Sequence, residues 1–265
     1  MSTTELETLI VTREDGVVTV TMNRPERKNA ANGPMWRDLL ETFEEVALDR
    51  NDRVMVLTGA GGEFCSGADL ADTSGFAGRP GDPVLLQMRA LGDVALRLHR
   101  MPKPTIAKVE GIAAGAGMSM VLCCDLVVAS EGARFSQIFA KRGLSLDFGA
   151  SWLLPRAIGM QRAKELALFA DIIDAAEGFE LGFVNRVLPA EGLDSFVDDW
   201  ARRLAEGPTL ALSLIKGMLD NSFSVSFDQA LEDEARSQAV NAGTRDTREA
   251  LAAFIEKRPP RFEGR

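Results

Sequence analysis

Val109 to Ala129 reads VEGIAAGAGMSMVLCCDLVVA. A small-residue run, Gly111 to Gly117, leads into an apolar segment, and Asp125 opens a second apolar strand. Gly115, Ala116 and Gly117 allow backbone to approach a ligand closely. A helix starting near Ala116 leaves its first N–H groups without intrahelical partners, at the positive end of the helix dipole. Such a terminus suits an anion or a developing oxyanion, although the same pattern also serves as a Gly-rich turn packing helix on sheet.

Upstream, Val54 to Leu70 reads VMVLTGAGGEFCSGADL. An apolar strand runs into Thr58-Gly59-Ala60-Gly61-Gly62, and Gly67-Ala68-Asp69-Leu70 follows Phe64-Cys65-Ser66. A strand ending in glycines is a place where backbone amides face solvent or ligand. Two such places in one chain can supply two N–H groups to one oxygen.

The surrounding chain is of an ordinary soluble globular kind: 265 residues, 46% apolar and 26% charged. A net charge of −9 without a Lys/Arg-rich run argues against nucleic acid, but leaves room for an anionic ligand held by a few local cations and helix ends. Cys65, Cys123 and Cys124 show neither zinc spacing nor a disulfide framework, and Cys123 and Cys124 read as small core residues. The N-terminus has no signal-peptide pattern, and the longest apolar run is too short to span a bilayer, so a cytoplasmic location is expected. The single histidine, His99, sits at the predicted end of a helix, which disfavours Ser/His/Asp chemistry.

In order, strands are predicted at Thr8 to Thr12 and Val17 to Met22, then a polar loop, a helix from Gly33-Pro34 to about Asp49 and a strand at Val54. Ala71 to Pro83 reads as a mobile loop or lid. A helix Leu85 to His99 and a strand Thr105 to Val109 return to the opening stretch. Strands Leu126 to Ala129 and Phe135 to Gln137, a loop Lys141 to Gly149, helices Ser151 to Ile158 and Arg162 to Phe169, and a strand Phe183 to Val187 follow. This order argues for α/β crossover units. Helices near Leu193 to Glu206, Leu210 to Asn221, Phe227 to Asn241 and Thr247 to Lys257 complete the chain. The expected division is a core over 1–192 and a helical region over 193–265.

With these pieces placed, nearly the whole chain resembles the crotonase, or enoyl-CoA hydratase/isomerase, superfamily. The resemblance is carried by Asn23-Arg24-Pro25 with Asn29-Ala30, Val56 to Leu70, Gly111 to Asp125, Trp152-Leu153-Leu154-Pro155-Arg156, Leu181-Gly182-Phe183-Val184 and Glu256-Lys257-Arg258-Pro259-Pro260. It implies a spiral of repeated ββα units with a C-terminal helical region, assembled as trimers or hexamers. It also implies an acyl-CoA thioester substrate, with coenzyme A as part of that substrate and no separate cofactor or metal. By the same resemblance, the thioester oxygen accepts from the backbone N–H groups of Ala68 and Ala116. Asp69 and Leu70 would line the adenine pocket, with Arg27 or Lys28 and Lys257 as phosphate partners.

The carboxylates depart from the hydratase pattern. The two glutamates that hydratases of this family use correspond here to Ser119 and Phe139, residues expected in the pocket wall, and neither is a carboxylate base. Asp147 remains, in Gly143-Leu144-Ser145-Leu146-Asp147-Phe148-Gly149. A small residue at 119, phenylalanine at 139 and aspartate at 147 are similar to the branch containing ring-1,2-epoxyphenylacetyl-CoA isomerase. The implied reaction is isomerisation by a proton shuttle on Asp147, moving a double bond or opening a strained ring; a silent acyl-CoA binder and a hydratase with relocated acids, Asp147 with a loop residue such as Glu63 or Asp69, are the alternatives. Asp147 also fits an N-cap for the helix beginning near Ala150.

Overall fold

The computed structural model describes residues 1–71 and 81–264, so most of the expected lid, Ala71 to Pro83, lies outside the described residues. Ten strands are named among them: β1 (Ser2–Glu5), β2 (Leu9–Glu14), β3 (Val17–Met22), β4 (Val54–Gly59), β5 (Thr105–Val109), β6 (Ile112–Ala114), β7 (Leu126–Ser130), β8 (Arg134–Ser136), β9 (Ile173–Asp174) and β10 (Arg186–Leu188). The α-helices are α1 (Gly33–Leu48), α2 (Val84–His99), α3 (Ala116–Cys123), α4 (Ala150–Ile158), α5 (Met160–Phe169), α6 (Ala175–Leu181), α7 (Ala190–Ala205), α8 (Thr209–Asn221), α9 (Phe227–Ala242) and α10 (Arg245–Glu256).

The larger sheet runs β1-β2-β3-β4-β5-β7-β10, antiparallel at β1-β2-β3 and parallel from β3 onward. A smaller sheet, β6-β8-β9, is extended by isolated bridges between Cys65 and Ala113 and between Ala31 and Ala68. Each central strand is therefore followed by a short pairing in the second layer and then a helix. Thus β3 leads through Ala31 to α1, β4 through Cys65 and Ala68 to α2, β5 through β6 to α3, and β7 through β8 to α4. That is the expected ββα spiral.

Side-chain period fixes which face of the larger sheet is covered by what. In β4, Met55 and Leu57 point into the main core with Trp36, Phe43 and Leu98, whereas Val54 and Val56 meet Leu193, Val197, Ala201 and Ala205 of α7. α7 begins at Ala190 and packs on the sheet's second face. α1 starts where Asn32 Oδ1 accepts from Met35 N at 3.1 Å, with Pro34 in its first turn, and buries Met35, Trp36, Leu39, Phe43 and Val46.

Several expectations are revised. β1, β9 and α6 were not expected, and the supposed loop Gly111 to Gly117 contains β6. The strand expected from Phe183 begins only at Arg186; Phe183 and Val184 instead plug the core after α6. Cys123 and Cys124 are buried, as expected, and burial pushes the Cys124 thiol up to about 12. No helix among the described residues is long and apolar enough to cross a membrane.

Candidate active site

Gly115, with φ +54 and ψ −125, turns the chain from β6 into α3 in a backbone region open to glycine. Its N–H donates to Ser136 O at 2.8 Å, tying the turn to β8. The carbonyl four residues before Ala116, that of Ile112, accepts from Cys65 N at 2.9 Å. The Ala116 N–H is left without an acceptor among the described residues.

Ala68 reaches the same condition differently. In its bridge to Ala31, Ala31 N donates to Gly67 O and Asp69 N donates to Ala31 O, at 2.8 and 2.9 Å, so the pairing bypasses the Ala68 N–H. A Cβ built on Gly67 would lie 3.7 Å from Ala116 N, which places the two loops against each other. At Gly117 a Cβ would stand 2.1 Å from Cys65 O, so α3 can approach the 65–68 loop this closely only without a side chain there. The two glycine-rich stretches thus bring Ala68 and Ala116, each with an unpartnered N–H, to the wall of one cavity of about 480 Å³.

The remaining wall is supplied by the 136–147 segment and includes Phe139, Arg142, Leu144 and Asp147, with Ile172 before β9. Asp147 Oδ1 is buried without a hydrogen-bond partner, and burial raises the carboxyl to about 6. The capping alternative is not realised. α4 has Gly149 at its N-cap with no side-chain cap, and the only Asp147 atom bonded there is its backbone carbonyl, which accepts from Ala150 N at 3.0 Å.

Other expected site residues divide. Asp69 and Leu70 line the cavity, but the Asp69 carboxylate is held by Arg24 Nη2 at 3.0 Å and accepts from Ala71 N. Arg27, Lys28 and Lys257 are not among the lining residues; Lys28 pairs with Glu63 at 2.8 Å, and Lys257 ends α10. Ser119, expected in the pocket wall, is not among the lining residues: it is fully buried, and its Oγ donates to Gly115 O at 3.1 Å.

Sequence reasoning missed the scaffolding around these loops. Buried Asn29 donates from Nδ2 to Ala60 O and Glu63 O and accepts from Arg24 N, binding the polar loop to the end of β4. Arg24 in turn donates to Ala30 O and to Asp69. Phe148 is buried with φ +49, a backbone state that costs a non-glycine residue about 1–2 kcal/mol.

A second cavity, of about 730 Å³, is bordered by α2, α4 and α8 and shares Phe148 and Gly149 with the turn after Asp147. It holds His99, Lys216 and Asp220 but neither of the free N–H groups. His99 ends α2 as expected, stands edge-on to Trp152 at 5.6 Å, and is held below its usual basicity mainly by burial.

The sequence model described as enoyl-CoA hydratase/isomerase matches residues 12–265. The chain belongs to the enoyl-CoA hydratase/isomerase family. Among its family relatives, the 1,2-epoxyphenylacetyl-CoA isomerase of Escherichia coli (strain K12) is 38% identical over 253 residues, covering 95% of this chain and 97% of that protein. The crotonyl-CoA hydratase of Syntrophomonas wolfei is 32% identical over 97% of this chain and 98% of its own length. The crystal structure of enoyl-CoA hydratase from Bacillus anthracis superposes with a TM-score of 0.91 at 30% identity, covering 98% of this chain and all of that one. The enoyl-CoA hydratase/isomerase fold, expected from the motifs, is thereby that of the chain.

Proposed function

We propose that this protein isomerises an acyl-CoA thioester by moving a double bond, with Asp147 carrying the proton and the N–H groups of Ala68 and Ala116 holding the enolate oxygen. A proton α or γ to a thioester is weakly acidic. Its removal becomes feasible when the charge gathering on the thioester oxygen is met by preorganised donors, each worth roughly 2.7–4 kcal/mol in the transition state. The Asp147 carboxylate takes the proton; the C–H electron pair becomes the enolate; the enolate collapses as the same carboxyl returns the proton to the other carbon. A carboxyl raised to about 6 suits both directions near neutrality. Coenzyme A enters as part of the substrate, and the shuttle needs no resident cofactor.

The single observation carrying this reading is Asp147, its carboxyl desolvated and its Oδ1 without a hydrogen-bond partner, in the wall of the cavity that Ala68 and Ala116 also line. Hydration would call for a second carboxylate. Glu63 is occupied by Lys28 and by Ile112 N, which donates to it at 2.6 Å, and Asp69 is occupied by Arg24. Phe139 and Ser119 supply none.

The test is incubation with 3-enoyl-CoA and 2-enoyl-CoA in deuterated water, followed by NMR. Deuterium at the α and γ carbons that disappears with Asp147→Ala is the expected result. Exchange surviving that substitution removes the assignment, binding without exchange indicates a silent binder, and 3-hydroxyacyl-CoA indicates a hydratase. For assembly, a trimer or hexamer would cover the exposed Leu251, Phe254 and Ile255 of α10 and Phe227 and Leu231 of α9; sedimentation checks it.

A further inference from the structure

The turn that presents Asp147 is held in place by a residue that does not line the cavity. We propose that Trp36 is a positioning residue: by packing on the Phe148 ring it fixes the left-handed turn at 148–149 and thereby aims the Asp147 carboxyl into the cavity. The proposal rests on the proton-shuttle reading of Asp147.

Phe148 and Gly149 follow one another with φ +49 and +82. Glycine adopts this region freely, but an aromatic residue stays there only where its surroundings determine it. Those surroundings are specific. The Phe148 ring is 3% exposed, and its centroid lies 5.7 Å from that of Trp36, which is 1% exposed, with the planes inclined at 35°. Cys123 Sγ donates to Phe148 O at 3.8 Å from α3. Trp36 is itself fixed in the first turns of α1, next to Met35 and close to the Asn32 cap.

Little else orients the acid. α4 begins without a side-chain cap, and Asp147 is tied to it only through its backbone carbonyl. Asp147 Oδ1 has no partner, so the direction of the carboxyl follows the turn backbone. The elevation of Asp147 comes from burial alone; Arg142 lines the same cavity without contributing to it. Because Trp36 is not among the cavity's lining residues, its effect reaches the reacting atoms through Phe148.

The test compares Trp36→Leu, Trp36→Phe, Phe148→Leu and Asp147→Asn as full-length chains, in isomerisation of 3-enoyl-CoA between about pH 5 and 8, with thermal unfolding alongside. Losing the clamp is expected to lower kcat roughly 10- to 100-fold in Trp36→Leu and Phe148→Leu, with KM within about threefold. Water reaching a loosened carboxyl is expected to move the acid limb of kcat/KM downward from about 6 toward the ordinary aspartate range. Trp36→Phe keeps a ring against Phe148 and restores kcat to within about threefold. If Asp147→Asn is inactive while folded Trp36→Leu and Phe148→Leu keep both kcat and the acid limb, the clamp is refuted and the shuttle stands. A kcat loss with an unmoved acid limb and no rescue by Trp36→Phe marks a purely structural role and also refutes it. Activity retained in Asp147→Asn overturns the shuttle, and the clamp with it.

Discussion

Asp147→Asn is expected to abolish isomerisation and, at neutral pH, to make the protein more stable. Burial raises the Asp147 carboxyl from 3.8 to about 6, which at about 1.36 kcal/mol per pH unit corresponds to about 3 kcal/mol. The folded state therefore holds this proton more tightly than the unfolded state. Below 3.8 both states are protonated and Asp147 has no effect on the balance. Between 3.8 and about 6 the unfolded chain ionises first and wild-type stability falls; above about 6 both are ionised and the deficit levels off. Asparagine does not titrate, so the variant escapes that deficit. Its amide must still be desolvated and the site is not fully closed, so about 3 kcal/mol is a ceiling, and a gain of about 1–3 kcal/mol is expected above pH 6. Urea unfolding of both proteins at pH 4, 5, 6 and 8 measures it, the two curves converging toward pH 4. Parallel curves across that whole range would refute the burial argument, whatever the activity of the variant.

Gly117→Ala places a methyl 2.1 Å from Cys65 O; forcing α3 away from the 65–68 loop is expected to cost about 1–3 kcal/mol in denaturant unfolding and roughly 100-fold in kcat. Glu63→Gln is expected to leave isomerisation within about threefold, because Glu63 braces Lys28 and Ile112 N rather than facing substrate; a loss beyond 100-fold would revive it as a second acid. Arg24→Leu strands the half-buried Asp69 carboxylate and is expected to destabilise by about 2–4 kcal/mol, with most of the loss recovered when Asp69→Asn is added. Arg53→Ala releases Gly207 O, Thr209 Oγ1 and Phe262 O together, and limited proteolysis is expected to cut near residue 260 sooner than in wild type.

The features legible in the sequence were those that leave a local mark. The start of α3 at Ala116 followed from the glycines around it, β3 from the alternation Val18-Thr19-Val20-Thr21, and β4 from an apolar run of strand length. The short elements of the second layer were hidden because β6 is Ile-Ala-Ala, whose alanines carry little strand preference. α6 was readable in principle: Asp174 Oδ1 accepts from Glu177 N at 2.8 Å, a cap that Asp-Ala-Ala-Glu spells out. At the site, Asp147 came from the resemblance to the isomerase branch, but its freedom from the capping role was not legible, since an unpaired oxygen is a property of three-dimensional surroundings. Pairs such as Arg24 with Asp69 and Trp36 with Phe148 join residues far apart in sequence and leave no local periodicity to detect. Ser119 failed for a related reason: its place in the sequence gave the helix but not which side of the helix faces the cavity.

The two free donors belong to the main chain, and both positions are already alanine. A scan that replaces side chains one at a time with alanine is therefore blind to them and would score residues 68 and 116 as silent. Their imprint falls instead on neighbours that contact no ligand, above all Gly117, whose missing side chain lets the two strand ends close on each other. A survey of tolerated substitutions would locate this site by the intolerance of glycine. Removing either donor without disturbing that glycine requires chemistry on the peptide bond itself, such as an amide-to-ester exchange.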